Sequence, residues 1–244
     1  DITGFSMYQK ELDQFVYHPG AVMCNLFLAD EINRTSPKTQ SALLEVMEEQ
    51  KVTIEGETRA VPNPFVVMAT QNPKGSAGTQ LLPEAQLDRF MICISMGYPN
   101  IKDEVEILKG KSTSSVAKIN PILSKEQLMK MKDEVEAIHI SDKLYAYIAM
   151  LSAATREHAY VQLGLSPRGS IACVKMAKAW AYIQGRNYVL PEDVVEIFED
   201  VARHRIVLNT KARVARVSER AVLEEIIGQV KQPASYMQKV EYSV

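Results

Sequence analysis

In the stretch NLFLADEINR, residues 25–34, two adjacent carboxylates, Asp30 and Glu31, follow directly on four apolar residues, Leu26 to Ala29. A short, fully apolar run of this kind reads as a strand buried on both faces of a parallel sheet. An acid at the carboxyl end of such a strand stands at the edge where α/β proteins bind ligands. Two successive acids there can divide labour, Asp30 toward a hydrated Mg²⁺ and Glu31 toward a water that attacks a phosphate. The plain alternative is a pair of loop-start acids on the surface, and the apolar lead-in shifts the balance only modestly.

Three further groups suit phosphate chemistry. The stretch PFVVMATQNP carries Asn72 just past a second apolar run. An uncharged amide at an adjacent strand end can orient water or a terminal phosphate without adding negative charge, although Asn-Pro is also ordinary turn chemistry. In LPEAQLDRF, residues 82–90, Arg89 stands immediately before an expected strand, where its guanidinium offers a planar fork to phosphate. Taken alone, a salt bridge with Glu84 or Asp88 is the simpler reading. In GLSPRGS, residues 164–170, Arg168 falls in the first turn of a helix. A cation there opposes the helix dipole, and an anion would supply a reason for it.

The elements that must position these groups alternate over the first hundred residues. After Leu26–Ala29, the segment KTQSALLEVMEE has Ala42, Leu43, Val46 and Met47 at helical spacing, and KVTIEGETRAV alternates around Glu55-Gly56 as a hairpin does. FVVMAT (65–70) reads as a second buried strand and MICISM (91–96) as a third, so the pattern is that of an open α/β sheet. Beyond Tyr98-Pro99-Asn100 the character changes. Ser124 with Gln127 forms a capping-box signature for a helix to about Ile138. Further helices are expected over 142–159, from Pro167 to Gly185, from Pro191 to about His204, and over 218–227. This half shows no convincing strand pair and reads as a helical domain.

Composition removes several classes. The chain is 46% apolar and 24% charged, an ordinary globular balance. No apolar run approaches the ~20 residues of a membrane helix. A formal net charge of −2 gives no global basic field to gather nucleic acid. Cys24, Cys93 and Cys173 are odd in number and set among apolar neighbours, so they read as small core hydrophobes in a reducing compartment. His18, His139, His158 and His204 show no metal-ligand spacing.

Acid pair, amide, arginine and second arginine occur in one order, within DITG, FLADEINR, PKTQSALLEVMEE, PFVVMATQNP, LPEAQLDRF and GLSPRG. Together these phrases resemble the MoxR family of AAA+ ATPases, over nearly the whole chain. The resemblance implies an α/β AAA+ P-loop NTPase core with a parallel sheet in a three-layer sandwich over residues 1–99, followed by an all-α lid over 100–244. It implies that Asp30 and Glu31 are the Walker B pair, with Asp30 holding Mg²⁺ through water, and that Asn72 is sensor 1. Arg89 is then the arginine finger reaching a neighbour's nucleotide, and Arg168 is sensor 2. The implied cofactors are ATP and Mg²⁺. The implied assembly is a ring, a hexamer, and the implied work is chaperone-like maturation or metal insertion in the cytoplasm, with von Willebrand factor A domain proteins as partners. Rival readings are a nucleic-acid remodeller or a magnesium-chelatase-like motor, and a catalytically inactive scaffold; the charge balance argues mildly against nucleic acid.

One departure stands out. The Gly-rich loop G-x-x-x-x-G-K-[ST] that cradles phosphates in such enzymes is absent from the sequence. Gly164 to Ser170 has both glycines at that spacing, but Ser170 stands where Lys is required and Pro167 removes a backbone donor. KGSAGTQ (74–80) has no Lys after its second glycine. Since the chain opens on Asp1 inside DITGFSMYQKEL, the N-terminal part of the fold, with its cradle, is expected upstream. The strand leading into that cradle is expected between LFLA and FVVMAT.

Overall fold

The computed structural model describes residues 2–72, 82–110 and 120–234. The chain divides into two compact units, Asp1–Phe90 and Met91–Val244.

The first unit opens with an antiparallel hairpin of β1 (Gly4–Gln9) and β2 (Gln14–Pro19), which the sequence reading did not anticipate. Strand β3 (Leu26–Ala29) leads through a 3₁₀ turn, Ile32–Arg34, into helix α1 (Pro37–Glu49). Ser36 caps that helix by accepting from the Thr39 N–H at 3.2 Å, and Pro37 fits its first position. A tight hairpin follows, β4 (Lys51–Ile54) with β5 (Glu57–Ala60), turning through left-handed Glu55 and Gly56 as expected. Strand β6 (Val66–Ala69) and the short helix α2 (Glu84–Leu87) complete the described part of the unit.

Strands β3 and β6 pair directly and in parallel, Leu26 with Val66 through Ala29 with Ala69. This corrects the expectation that another strand separates them. It also corrects the reading of both strands as buried on two faces. Phe27, Ala29, Val67 and Ala69 pack against a core of Val22, Ile32, Leu43, Val46, Val52, Val61 and Leu82. Leu26, Leu28, Val66 and Met68, on the opposite face, are 48–62% exposed. Side chains alternate across a strand, and among the described residues only one face of this pair is covered.

The second unit is built of helices α3 (Ile101–Leu108), α4 (Lys125–Glu136), α5 (Asp142–Glu157), α6 (Pro167–Ile183), α7 (Pro191–Ala202), α8 (Thr210–Ala215) and α9 (Glu219–Gln229). The capping box of α4 is present: Ser124 Oγ accepts from the Gln127 N–H at 3.2 Å, and the Ser124 N–H donates to Gln127 Oε1 at 2.7 Å. The core gathers Tyr147 and Leu151 from α5, Cys173 and Ala177 from α6, Val194, Phe198 and Val201 from α7, and Val222 and Leu223 from α9. Asp193 is 3% exposed; it accepts from the Leu190 N–H at 2.7 Å and from Arg186 Nη1 at 2.7 Å. That pair ties the end of α6 to the start of α7.

Three expectations fail here. The unit does contain a strand pair, β7 (Val161–Leu163) antiparallel to β8 (Val207–Leu208). Strands of three and two residues are too short to show an alternation in sequence. Residues 91–96 form no strand; the Cys93 N–H donates to Asp200 O at 3.0 Å, and no strand edge among the described residues pairs with the segment. Apolar, β-branched composition favours a strand only where a partner exists. Cys93 is also exposed and Cys24 half-buried, so only Cys173 behaves as the expected core thiol. Burial pushes the Cys173 pKa up to about 12.

Candidate functional site

The parallel register of β3 and β6 brings the ends of the two strands together, and with them Asp30, Glu31 and Thr70. The Thr70 N–H donates to Ala29 O at 3.0 Å, and the Ile32 N–H returns a bond to Thr70 O at 3.0 Å. The Thr70 hydroxyl accepts from the Glu31 N–H at 2.8 Å and donates to Asp30 Oδ1 at 2.5 Å. Glu31 has left-handed backbone angles, φ 48° and ψ 48°. A side chain other than glycine held there costs about 1–3 kcal/mol, and such strain persists only where the surroundings impose it. Here both flanking amides are bound to one residue, Thr70, just past the end of the neighbouring strand.

The carboxylate of Glu31 pairs with Arg34 Nη1 at 3.1 Å. The two side chains are 40% and 49% exposed, so the pair is worth no more than about 1 kcal/mol and is easily exchanged for another partner. Asn72 follows two residues after Thr70 on the same edge, exposed. Its carbonyl accepts from Nδ2 of Asn33, a buried side chain, at 3.4 Å. Gln40, reaching back from α1, donates to the carbonyls of Ile32 and Thr35, each at 3.2 Å, and so braces the turn that follows the acids.

Arg89 lies just past α2 and forms an ion pair with Glu48 of α1; Glu84 and Asp88, the partners considered from sequence, are not the ones used. The pair borders a cleft of about 370 Å³ lined also by Ser41, Leu44, Glu45 and Gln86. Arg168 belongs to the second unit. It stands exposed at the second position of α6, whose cap is Ser166 accepting from the Gly169 N–H at 3.2 Å. The two glycines around it have packing reasons. A Cβ on Gly164 would lie 2.7 Å from the Arg156 backbone, and one on Gly169 would lie 2.7 Å from the Leu165 side chain. The segment is a helix start, and not a phosphate-cradling loop.

Among the described residues no three His, Cys, Asp or Glu side chains gather into a metal cage. Mg²⁺ keeps most of its waters and binds one or two carboxylates together with substrate phosphates. An exposed carboxylate with one oxygen fixed by Thr70 is such a donor. Thr70, Asn33, Gln40 and Glu48 were not singled out from sequence. For Thr70 the available signal was a hydroxyl immediately after a strand expected to neighbour the acid pair.

Comparison with known proteins gives consistent matches. The family model described as "ATPase family associated with various cellular activities (AAA)" matches residues 1–92, and that described as "AAA lid domain" matches residues 153–226. The chain is 44% identical over 234 residues to Uncharacterized protein YeaC of Bacillus subtilis, covering 96% of this chain and 73% of that protein. It is 38% identical over 242 residues to Chaperone MoxR1 of Mycobacterium tuberculosis, covering 96% of this chain and 64% of that protein. The crystal structure of a candidate ATPase from Cytophaga hutchinsonii matches with a TM-score of 0.86 at 38% identity, over 96% of this chain and 74% of that one.

Proposed function

Because the chain belongs to the MoxR family of AAA+ ATPases, we propose that the joined ends of β3 and β6 form the hydrolytic edge of an ATP site in the intact protein. The observation that carries this reading is the acid pair itself. Asp30 and Glu31 stand at a parallel strand end, clasped by Thr70, with Asn72 two residues beyond Thr70 in the segment that leaves the adjoining strand. In this reading Glu31 orients the attacking water and accepts its proton as the bond from the γ-phosphorus to the ADP oxygen breaks. Asp30 holds Mg²⁺ through water; the ion, when bound, offsets charge on the phosphates. Asn72 meets the terminal phosphate or the water with a neutral amide. Arg89 serves the nucleotide of a neighbouring subunit in a ring, a hexamer. Arg168 brings a cation from the lid domain to the phosphates.

The chaperone role also belongs to this proposal, supported by the name of the Mycobacterium tuberculosis relative. So do metal insertion, von Willebrand factor A domain partners and a cytoplasmic setting. Among the described residues no helix is long and apolar enough to cross a membrane. A nucleic-acid remodeller is the less favoured reading, given a net charge of −2.

The test is Glu31→Gln in the full-length protein. ATP binding is expected to persist while turnover is abolished, because an amide cannot take the proton from water. Hydrolysis within a few-fold of wild type would remove Glu31 from the role.

A further inference from the structure

The Thr70 hydroxyl has one proton and two lone pairs, and its two partners leave no choice in how it uses them. The Glu31 N–H can only donate, and the ionised Asp30 carboxylate can only accept. The hydroxyl therefore takes the Glu31 amide at 2.8 Å and gives its proton to Asp30 Oδ1 at 2.5 Å, a short charge-assisted bond. The carbonyl of the same residue holds the Ile32 N–H at 3.0 Å. One residue, just past the end of β6, thus grips the peptide groups on both sides of left-handed Glu31 and one oxygen of Asp30.

We propose that Thr70 is a positioning residue for the acid pair: its hydroxyl sets the Asp30 carboxylate toward the metal and holds the Glu31 backbone in its left-handed turn. The proposal rests on the reading of Asp30 and Glu31 given above. It assigns the spacing of the acids to the segment that follows β6, the same segment that carries Asn72. Residues bonded to a ligating carboxylate change metal affinity or activity about 10–100-fold when removed.

Thr70→Val keeps the shape of the side chain and loses the hydroxyl, whereas Thr70→Ser keeps the hydroxyl and loses a methyl. In full-length protein with ADP bound, Mn²⁺ affinity is measured by electron paramagnetic resonance, alongside ATP turnover. Thr70→Val is expected to weaken Mn²⁺ binding and lower turnover, each about tenfold. Thr70→Ser should stay within about threefold of wild type, because the hydroxyl remains. A Thr70→Val protein within twofold of wild type in Mn²⁺ affinity would overturn the assignment, as would Thr70→Ser being as impaired as Thr70→Val. A second measurement needs no variant. In wild type the Glu31 amide should resist hydrogen exchange although its residue lies in a loop, and exchange at the rate of a free loop amide would also overturn the proposal. Glu31→Gln is run in parallel. If that variant turns over ATP normally, the acid-pair reading fails, and Thr70 has no site to position. Normal loss of activity there with an unaffected Thr70→Val removes Thr70 alone.

Discussion

Glu31 keeps its left-handed backbone because the amides on both sides of it bind Thr70. Asp30 and Glu31 were legible as candidates because an acid pair after a short apolar run is a local pattern. The residue that holds them was not. Thr70 is an ordinary strand former, and its partners lie 39 and 40 positions away, joined only through the pairing register of β3 and β6. Arg89 was legible as a candidate, yet its partner Glu48 sits 41 residues away on α1. Both side chains of that pair are about one-third exposed, 31% and 33%, so solvent screens it. Glu48→Ala should therefore change stability by no more than about 1 kcal/mol, read as a small shift in the unfolding midpoint. A loss well beyond that would mean the pair holds α1 and the end of α2 together.

Elements were legible where a local device marks their ends and obscure where only a partner defines them. The Ser124–Gln127 box, Pro167 at the start of α6 and left-handed Gly185 past its end are all local, and those helices fall where expected. The segment 91–96 and the pair β7–β8 depend on partners elsewhere in the chain, and both readings failed. Between these cases lies the α6–α7 joint. Asp193 is nearly fully buried and at once caps Leu190 and binds Arg186, whose pKa it raises through that hydrogen bond. Asp193→Ala would leave a guanidinium without its carboxylate and a helix-start amide without an acceptor. A loss of about 3 kcal/mol is expected, measured as a lower denaturant midpoint at unchanged slope for the unit containing α7. A loss under about 1 kcal/mol would show that the joint is held by the apolar core alone.

At the scale of the whole molecule, the α/β fold with a helical second unit and the family were both legible, because several long phrases occur in one order. The strand arrangement was not: β3 and β6 are direct neighbours, and their apolar face bearing Leu26, Leu28, Val66 and Met68 is open among the described residues. In the proposed ring, the acids of one subunit and Arg89 of the next complete a site that hydrolyses ATP. Mixing of single-defect subunits in the full-length protein addresses it most directly. Arg89→Ala alone should cut turnover by ~10³-fold while leaving ATP affinity nearly intact, and Glu31→Gln alone should be inactive. Rings assembled from both should regain a measurable fraction of wild-type turnover, since some interfaces then join an intact Glu31 to an intact Arg89. No recovery, with subunit exchange verified, would contradict the claim and confine Arg89 to its own subunit or to no role in hydrolysis.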